Sequence, residues 1–119
     1  SITHHCTIHG ATVGDNCLIG INVTLMDNCV IGANSIVAGH SILTEGTQIP
    51  PNSIVAGAPA KVIKQRNNYV ANRLNAVAYY ENGLAYANGD HRVWASPEHK
   101  EKMRALAEQF AAELAAQDI

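Results

Sequence analysis

Residues 13–55 read VGDNCL IGINVT LMDNCV IGANSI VAGHSI LTEGTQ IPPNSI V when written in groups of six. The first position of each group is aliphatic: Val13, Ile19, Leu25, Ile31, Val37, Leu43, Ile49 and Val55. The fifth position is small or β-branched: Cys17, Val23, Cys29, Ser35, Ser41, Thr47 and Ser53. A period of six fits neither a helix nor an alternating strand, and it indicates a β-helix whose rungs repeat the same inward and corner positions.

Three groups of six would make one triangular coil of 18 residues, with successive coils separated by the ~4.8 Å spacing of paired strands. Glycine, asparagine and aspartate in the second to fourth positions are expected at corners, where positive φ is often required. Counted from Ser1, the repeat begins SITHHC and TIHGAT. This count places His5 in the inward fifth position and Cys6 in the outward sixth position.

Composition narrows the class of protein. The chain has 119 residues, 47% hydrophobic, with a formal net charge of −2, which indicates a folded chain with no nucleic acid partner. No signal peptide is expected, and the sequence contains no apolar run of the ~18 residues that span a membrane. Cys17 and Cys29 fall at inward positions and are predicted to be buried free thiols, as is typical of a cytoplasmic protein.

The repeat is predicted to form a domain over residues 1–63, which ends where Pro50, Pro51 and Pro59 interrupt the pairing. Because the chain starts inside the repeat and without methionine, we expect further coils upstream. The fold class is therefore predicted to be mainly β, a β-helix followed by α-helices.

Residues 64–119 are predicted to be helical and to pack on the β-helix or on a neighbouring subunit. A first helix is expected from about residue 67 to 87, ending at Asn88-Gly89-Asp90 with Gly89 in the left-handed conformation. Ser96 is the expected N-cap of a second helix, with proline in the first turn. The apolar stripe of this helix consists of Met103, Leu106, Phe110 and Leu114.

His4 and His9 form an H-x-x-x-x-H pair across the first two rungs. Imidazole is a good zinc ligand, but a catalytic zinc takes three protein ligands and a water, so this pair does not complete a site. His40 is expected two coils above His4, roughly 10 Å away, which is too far for a shared metal. The alternative is that these histidines lie on a solvated face without a ligand.

The run ITHHCTIHG at residues 2–10, followed by Val13-Gly14-Asp15-Asn16, resembles the metal-binding rung of γ-class carbonic anhydrases. This family belongs to the hexapeptide-repeat superfamily of left-handed β-helices. Residues 49–63 also resemble the terminal rung of proteins in that superfamily. The resemblance implies a homotrimer with metal sites between subunits, in which His4 binds across the interface and His9 binds its own chain's metal. A third histidine would come from a coil upstream of Ser1.

The resemblance also implies a cofactor and a reaction. The cofactor is Zn2+, or Fe2+ or Co2+ in its place, and zinc hydroxide would hydrate CO2 to bicarbonate. In the tail, Tyr86 and Asn88 resemble residues near the active site of the archaeal branch. Tyr79 is the alternative tyrosine, and either tyrosine could instead be a packing residue. Glu45 and Glu81 are nominated as proton acceptors, although nothing in the sequence places them near the metal.

Two other classes of function stay open. A hexapeptide-repeat acyltransferase would use acyl-CoA, with His4, His9 or His40 as the general base, and it would share the terminal rung. A non-catalytic scaffold or assembly subunit would also fit a chain that carries only two of three ligands. Bound metal, bound acetyl-CoA, or a stable hetero-complex with neither would distinguish the three.

Overall fold

The computed structural model describes residues 1–117, which divide into two compact units with the boundary after Asn68. The first unit consists of short strands, mostly of two residues each. These are β1 Thr7–Ile8, β2 Thr12–Val13, β3 Leu18–Ile19, β4 Thr24–Leu25, β5 Val30–Ile31, β6 Ile36–Val37, β7 Ile42–Leu43, β8 Gln48–Ile49, β9 Ser53–Gly57 and β10 Ala60–Gln65.

Strands three apart in the chain pair in parallel, so that three strands make one coil. The three sheets have the orders β1-β4-β7, β2-β5-β8 and β3-β6-β9-β10. Leu18 pairs with Ile36, eighteen residues on, as the six-residue period predicts. The last two strands pair antiparallel and end the stack after the prolines. The predicted β-helix, mainly β and followed by helices, is confirmed.

The core of the β-helix consists of the two inward columns that the repeat predicts. Seven first-position residues are buried: Ile19, Leu25, Ile31, Val37, Leu43, Ile49 and Val55. Six fifth-position residues are buried beside them: Cys17, Val23, Cys29, Ser35, Ser41 and Ser53. Val13 and Thr47 are half-buried. Cys17 and Cys29 are free thiols, as predicted.

Positive φ is concentrated in the fourth position of the repeat, a narrower set than the second to fourth positions expected. The residues are Asn16, Asn22, Asn28, Asn34, His40, Gly46 and Asn52. Asparagine adopts this conformation more readily than most side chains. The second position is small for a different reason, the close approach of coils: a Cβ on Gly20 would lie 2.7 Å from the carbonyl oxygen of Val37.

The first coil is one residue shorter than the rest. Thr7 pairs with Thr24, seventeen residues on, whereas Thr12 pairs with Val30, eighteen residues on. The missing residue is at the corner that contains Gly10, which has φ +65°. The frame counted from Ser1 is therefore wrong by one position before this corner.

The shift corrects two expectations. His5 is not inward: it is exposed at a corner, with φ +56°. Cys6 is not outward: it is half-buried against the core, and its Sγ donates a hydrogen bond to the carbonyl oxygen of Gly20 at 3.1 Å. Shortening one corner moves every earlier residue by one position, which exchanges inward and outward side chains.

The second unit contains α1 (Tyr69–Ala87), a 3₁₀ turn at Val93–Ala95 and α2 (Pro97–Ala116). Gly89 follows α1 with φ +80°, as the sequence predicts. The Ser96 hydroxyl accepts a hydrogen bond from the His99 backbone N–H at 3.1 Å, which confirms the predicted N-cap. Among residues 1–117, no helix has both the length and the apolar character needed to cross a membrane.

A polar cluster joins α1 to α2. The guanidinium of Arg73 donates to the Tyr69 hydroxyl at 2.6 Å and to the carboxylate of Glu113. The same guanidinium lies over the ring of Phe110, 4.0 Å from its centroid. All the tyrosine, tryptophan and phenylalanine residues of the chain are in this second unit: Tyr69, Tyr79, Tyr80, Tyr86, Trp94 and Phe110.

Candidate functional site

His4 and His9 lie on either side of β1, and both imidazoles are exposed. The backbone of each is tied to the next coil. The carbonyl oxygen of His4 accepts from the Asn22 N–H, and the His9 N–H donates to the carbonyl oxygen of Leu25, each at 2.9 Å. The H-x-x-x-x-H spacing thus places one solvent-facing imidazole in the turn before β1 and the other directly after β1.

His9 has a carboxylate partner on the coil above. Its Nδ1 lies 2.6 Å from Oδ1 of Asp27, and the two side chains are 77% and 48% exposed. With Nδ1 as the donor, Nε2 keeps its lone pair and points away from the carboxylate. This is the form of imidazole that binds a metal or accepts a proton.

The short corner makes room for this contact. A Cβ on Gly10 would lie 2.2 Å from Oδ1 of Asp27 and 3.1 Å from its Cγ. Such distances exclude any side chain at Gly10 while the carboxylate keeps its position. The corner thus brings the aspartate directly over the rung that carries His9.

The donor set fits zinc in kind but not in number. Imidazole nitrogens are ordinary zinc ligands, and His9 is oriented as metal-binding histidines usually are, by an acceptor on its other nitrogen. Within residues 1–117, however, no group of three histidine, cysteine, aspartate or glutamate side chains is arranged to hold a metal ion. A metal site that uses His4 or His9 therefore needs ligands from beyond the described residues of one chain.

The other histidines of the β-helix, His5 and His40, lie in one column of corners, two coils apart. His5 lies two residues before β1, and His40 lies two residues before β7. Asn22 holds the same position before β4, the strand that pairs with both. The stack is therefore His5, Asn22, His40, and His40 lies two coils above His5 instead of His4 as expected. Both imidazoles are exposed.

The candidate residues of the helical unit lie on or just after α1. Tyr79 and Tyr86 are exposed, and the Tyr86 ring meets His91 edge-on, with 4.9 Å between centroids. The Asn88 side chain donates to the carbonyl oxygen of Leu84 at 3.1 Å, so it helps to end the helix. Catalytic roles for Tyr79, Tyr86 and Asn88 stay predictions.

The two glutamates nominated as proton acceptors lie in different units. Glu45 is exposed at a corner of the β-helix. Glu81, on α1, pairs with the ammonium group of Lys102. The exposure of Glu45 and the ion pair of Glu81 give no reason to prefer either residue as the proton acceptor.

Asp27 was missed by sequence reasoning, although a signal was present. It follows His9 by eighteen residues, one full coil, which is the separation that stacks residues in this repeat. An acidic residue one coil from a histidine is therefore worth a search in any β-helix of this kind.

Comparisons with known proteins support the repeat and the resemblance. Residues 10–45 match the family described as "Bacterial transferase hexapeptide (six repeats)". A "Probable carbonic anhydrase" of Methanocaldococcus jannaschii is 45% identical over 65 residues, which cover 55% of this chain and 41% of that protein. "Gamma carbonic anhydrase 2, mitochondrial" of Arabidopsis thaliana is 34% identical over 65 residues, covering 55% and 23%. The chain spans less than half the length of either relative.

Among solved structures, a hexapeptide transferase family protein from Anaplasma phagocytophilum is similar over 74% of this chain and 52% of its own. The TM-score is 0.60 and the identity is 31%. With the hexapeptide repeat, this likeness fits a left-handed β-helix. The predicted resemblance to γ-class carbonic anhydrases within the hexapeptide-repeat superfamily is confirmed, and transferases of the same fold are equally among the similar proteins.

Proposed function

We propose that this chain, whose β-helix carries the hexapeptide repeat, serves a γ-class carbonic anhydrase-like enzyme that hydrates CO2 to bicarbonate at a metal site between subunits. The observation that carries the proposal is the exposed pair His4 and His9 on either side of β1. Identity of 45% to a probable carbonic anhydrase over 65 residues supports it.

In the proposed site, His9 binds the metal of its own chain through Nε2, and His4 binds the metal of a neighbouring subunit in a homotrimer. The remaining ligand is a histidine from outside residues 1–119. Zinc, the proposed cofactor, supplies Lewis acidity that makes hydroxide available from water at neutral pH; Fe2+ or Co2+ would serve in its place. Tyr86 and Asn88 are the proposed residues near the substrate.

In the proposed site, His4 and His9 supply two of the three ligands, and they serve two different metal ions. In a single chain, His4 lies in the turn before β1 and His9 lies directly after β1, so the two residues of this strand separate them. In a closed ring of three copies, each interface would receive one histidine from each side, as heterologous contacts in a cyclic oligomer require.

The test is the metal content of His9→Ala compared with the unmodified protein, both purified without added metal. We expect about one metal ion per interface in the unmodified protein and loss of the metal in His9→Ala, since removal of one of three ligands dismantles the site. Size-exclusion chromatography should show an unchanged trimer. CO2 hydration kinetics should then follow the metal content.

His5→Ala is the matched control, because His5 is also an exposed histidine of the first coil. It should keep both the metal and the trimer. If His9→Ala retains its metal, or if His5→Ala loses metal to the same extent, the assignment of His9 as a ligand is wrong.

A second candidate function is an acyltransferase that uses acyl-CoA. It is favoured by the likeness to a hexapeptide transferase structure at a TM-score of 0.60 and by the His9–Asp27 contact, which is also the geometry of an oriented general base. Calorimetric titration with acetyl-CoA would distinguish it: saturable binding by a metal-free protein would favour the transferase over the anhydrase.

A further inference from the structure

We propose that Asp27 is a positioning residue that holds His9 in the Nδ1–H form with Nε2 directed outward, and that Gly10 is kept side-chain-free to admit it. The inference rests on the proposed function in one respect: it takes His9 as the functional imidazole. It adds a residue from the neighbouring coil, which neither the H-x-x-x-x-H motif nor the hexapeptide repeat identifies.

The first observation is the selectivity of the contact. Among the histidines of residues 1–117, His9 alone has a carboxylate oxygen within 4.0 Å of a ring nitrogen. The distance from its Nδ1 to Oδ1 of Asp27 is 2.6 Å. The chain has six histidines, and several of them are exposed without such a partner. A general excess of acidic residues near histidines therefore does not explain the pair.

The second observation is that the space for the carboxylate is made by the backbone. Gly10 has φ +65°, and the Asp27 Oδ1 lies 2.2 Å from the position that a Cβ on Gly10 would take, too close for both atoms. Gly46 has a similar φ of +78° two coils above, but nothing lies within 4 Å of its Cβ position. Gly10 thus has both a conformational and a steric requirement, whereas Gly46 has the conformational one alone.

The third observation separates the role of Asp27 from that of an ordinary corner residue. The same tripeptide occurs twice, as Asp15-Asn16-Cys17 and as Asp27-Asn28-Cys29, with the asparagine at positive φ in both. Asp15 has no histidine partner among the contacts within 4.0 Å of residues 1–117. The corner therefore forms without a carboxylate–imidazole contact, and Asp15 is a matched reference for Asp27.

The physical consequence is a fixed tautomer and a fixed ring orientation. A neutral imidazole in water interconverts between its two tautomers and rotates about χ2, and only one combination directs a lone pair to a given point. A hydrogen bond from Nδ1–H to a carboxylate selects that combination. Loss of such a partner typically costs about 10–100-fold in metal affinity or activity.

The decisive measurement is the tautomer of His9, read from nitrogen–proton correlation spectra of the imidazole at about pH 8, where histidine is mostly neutral. The unmodified full chain should show His9 with Nδ1 protonated. In Asp27→Ala the signal should move toward the Nε2–H form, and in Asp15→Ala it should stay unchanged. Asp27→Asn, which keeps an acceptor oxygen, should retain part of the original signal.

Gly10→Ala tests the steric part of the inference, with Gly46→Ala as its control. Both variants place a side chain at positive φ, but only the Gly10 variant displaces the Asp27 carboxylate. We expect the tautomer change in Gly10→Ala alone. If the unmodified protein already shows His9 as the Nε2–H form, or if Asp27→Ala leaves the spectrum unchanged, the positioning role is wrong.

Zinc titration of the same proteins separates this inference from the proposed function. Asp27→Ala should bind Zn2+ about 10–100-fold more weakly than the unmodified protein, while Asp15→Ala should bind equally well. If no protein binds zinc but the tautomer depends on Asp27, the metal-dependent function fails and the positioning role stands. If zinc binds equally in all three, Asp27 does not position the ligand.

Discussion

Small side chains fill the fifth position of the repeat, where a residue is buried yet lies next to corner carbonyl groups, and all of them except Val23 carry a hydrogen-bond donor. The Cys17 thiol donates to the carbonyl oxygen of Gly32 at 3.2 Å, and the Ser41 hydroxyl donates to that of Ala38 at 2.6 Å. An apolar side chain at these positions would leave those carbonyl groups without these partners. Volume therefore limits the residue type at every rung, and donor capacity adds to it at the cysteine and serine rungs.

Cys17→Ser should make the stability of the protein less sensitive to alkaline pH. Burial raises the pKa of the Cys17 thiol above its ordinary value. A raised pKa in the folded state means that the contribution of this thiol is fully present below the pKa of the unfolded chain. It is lost as pH rises from there through the folded pKa. Serine does not ionise in this range and occupies the same column at Ser35 and Ser41.

The measurement is urea unfolding of both proteins at about pH 7 and about pH 10, on either side of the ordinary thiol pKa. Lysine and tyrosine titrate in the same range, so the informative quantity is the difference between the two proteins at each pH. An unchanged difference would show that burial of the Cys17 thiol does not affect the pH dependence.

At the scale of the element, the repeat was predictable because inward positions recur at fixed spacing. Ile19 and Val37 are fully buried as the columns require. The register of the first coil was not predicted, because counting in sixes assumes corners of equal length. A signal was available: Ile2 and Ile8 are six apart, but Val13 follows Ile8 by five.

The candidate site also has a part that the sequence predicted and a part that it did not. His4 and His9 could be selected from sequence, since their spacing and residue type suffice to resemble a known motif. The contact with Asp27 was not selected, although Asp27 follows His9 by one full coil of eighteen residues. Whether the two side chains meet depends on the shape of the Gly10 corner, which the repeat does not define.

The contacts of Glu113 between α1 and α2 predict how the stability of the helical unit depends on pH. Hydrogen bonds from Gln109 and from the Tyr69 hydroxyl, with the nearby Arg73 guanidinium, lower the pKa of the Glu113 carboxyl below its ordinary value. A lowered pKa contributes stability above the unfolded pKa, and this is lost as pH falls through the folded pKa. Glu113→Gln should therefore lower the melting temperature of the helical unit at neutral pH. The melting temperature of this variant should also fall less than that of the unmodified protein when the pH is lowered.

Thermal melts followed by far-ultraviolet circular dichroism at about pH 7 and about pH 3 would test this, since these values bracket the ordinary carboxyl pKa. Glu108→Gln is the matched control on the same helix, because Glu108 pairs with the exposed Arg104, at 3.3 Å, and not with α1 among residues 1–117. If the two variants behave alike, the Tyr69–Arg73–Glu113 contacts do not stabilise the helical unit.

On the scale of the whole molecule, the β-helix is a one-dimensional stack in which each coil buries its core against its neighbours. Leu25 is fully buried with coils on both sides. Leu25→Ala should cost about 2–5 kcal/mol of unfolding free energy, through lost apolar contact and the cavity that remains.

Ile42→Ala is the control for this prediction, since Ile42 is on the same sheet and is 39% exposed. It should cost less than Leu25→Ala, because less apolar surface is removed from a packed environment. The two free energies come from urea unfolding of the full chain. Equal costs would show that the stack does not depend on its inward column.

The distribution of aromatic residues has an optical consequence. Residues 1–68 contain no tyrosine, tryptophan or phenylalanine, so the near-ultraviolet absorption and the intrinsic fluorescence of the chain come from the helical unit. The β-helix contributes no aromatic signal in that range. A single tryptophan introduced at an exposed β-helix position, with Trp94 replaced by phenylalanine, would therefore report on the histidine-bearing unit free of other tryptophan emission.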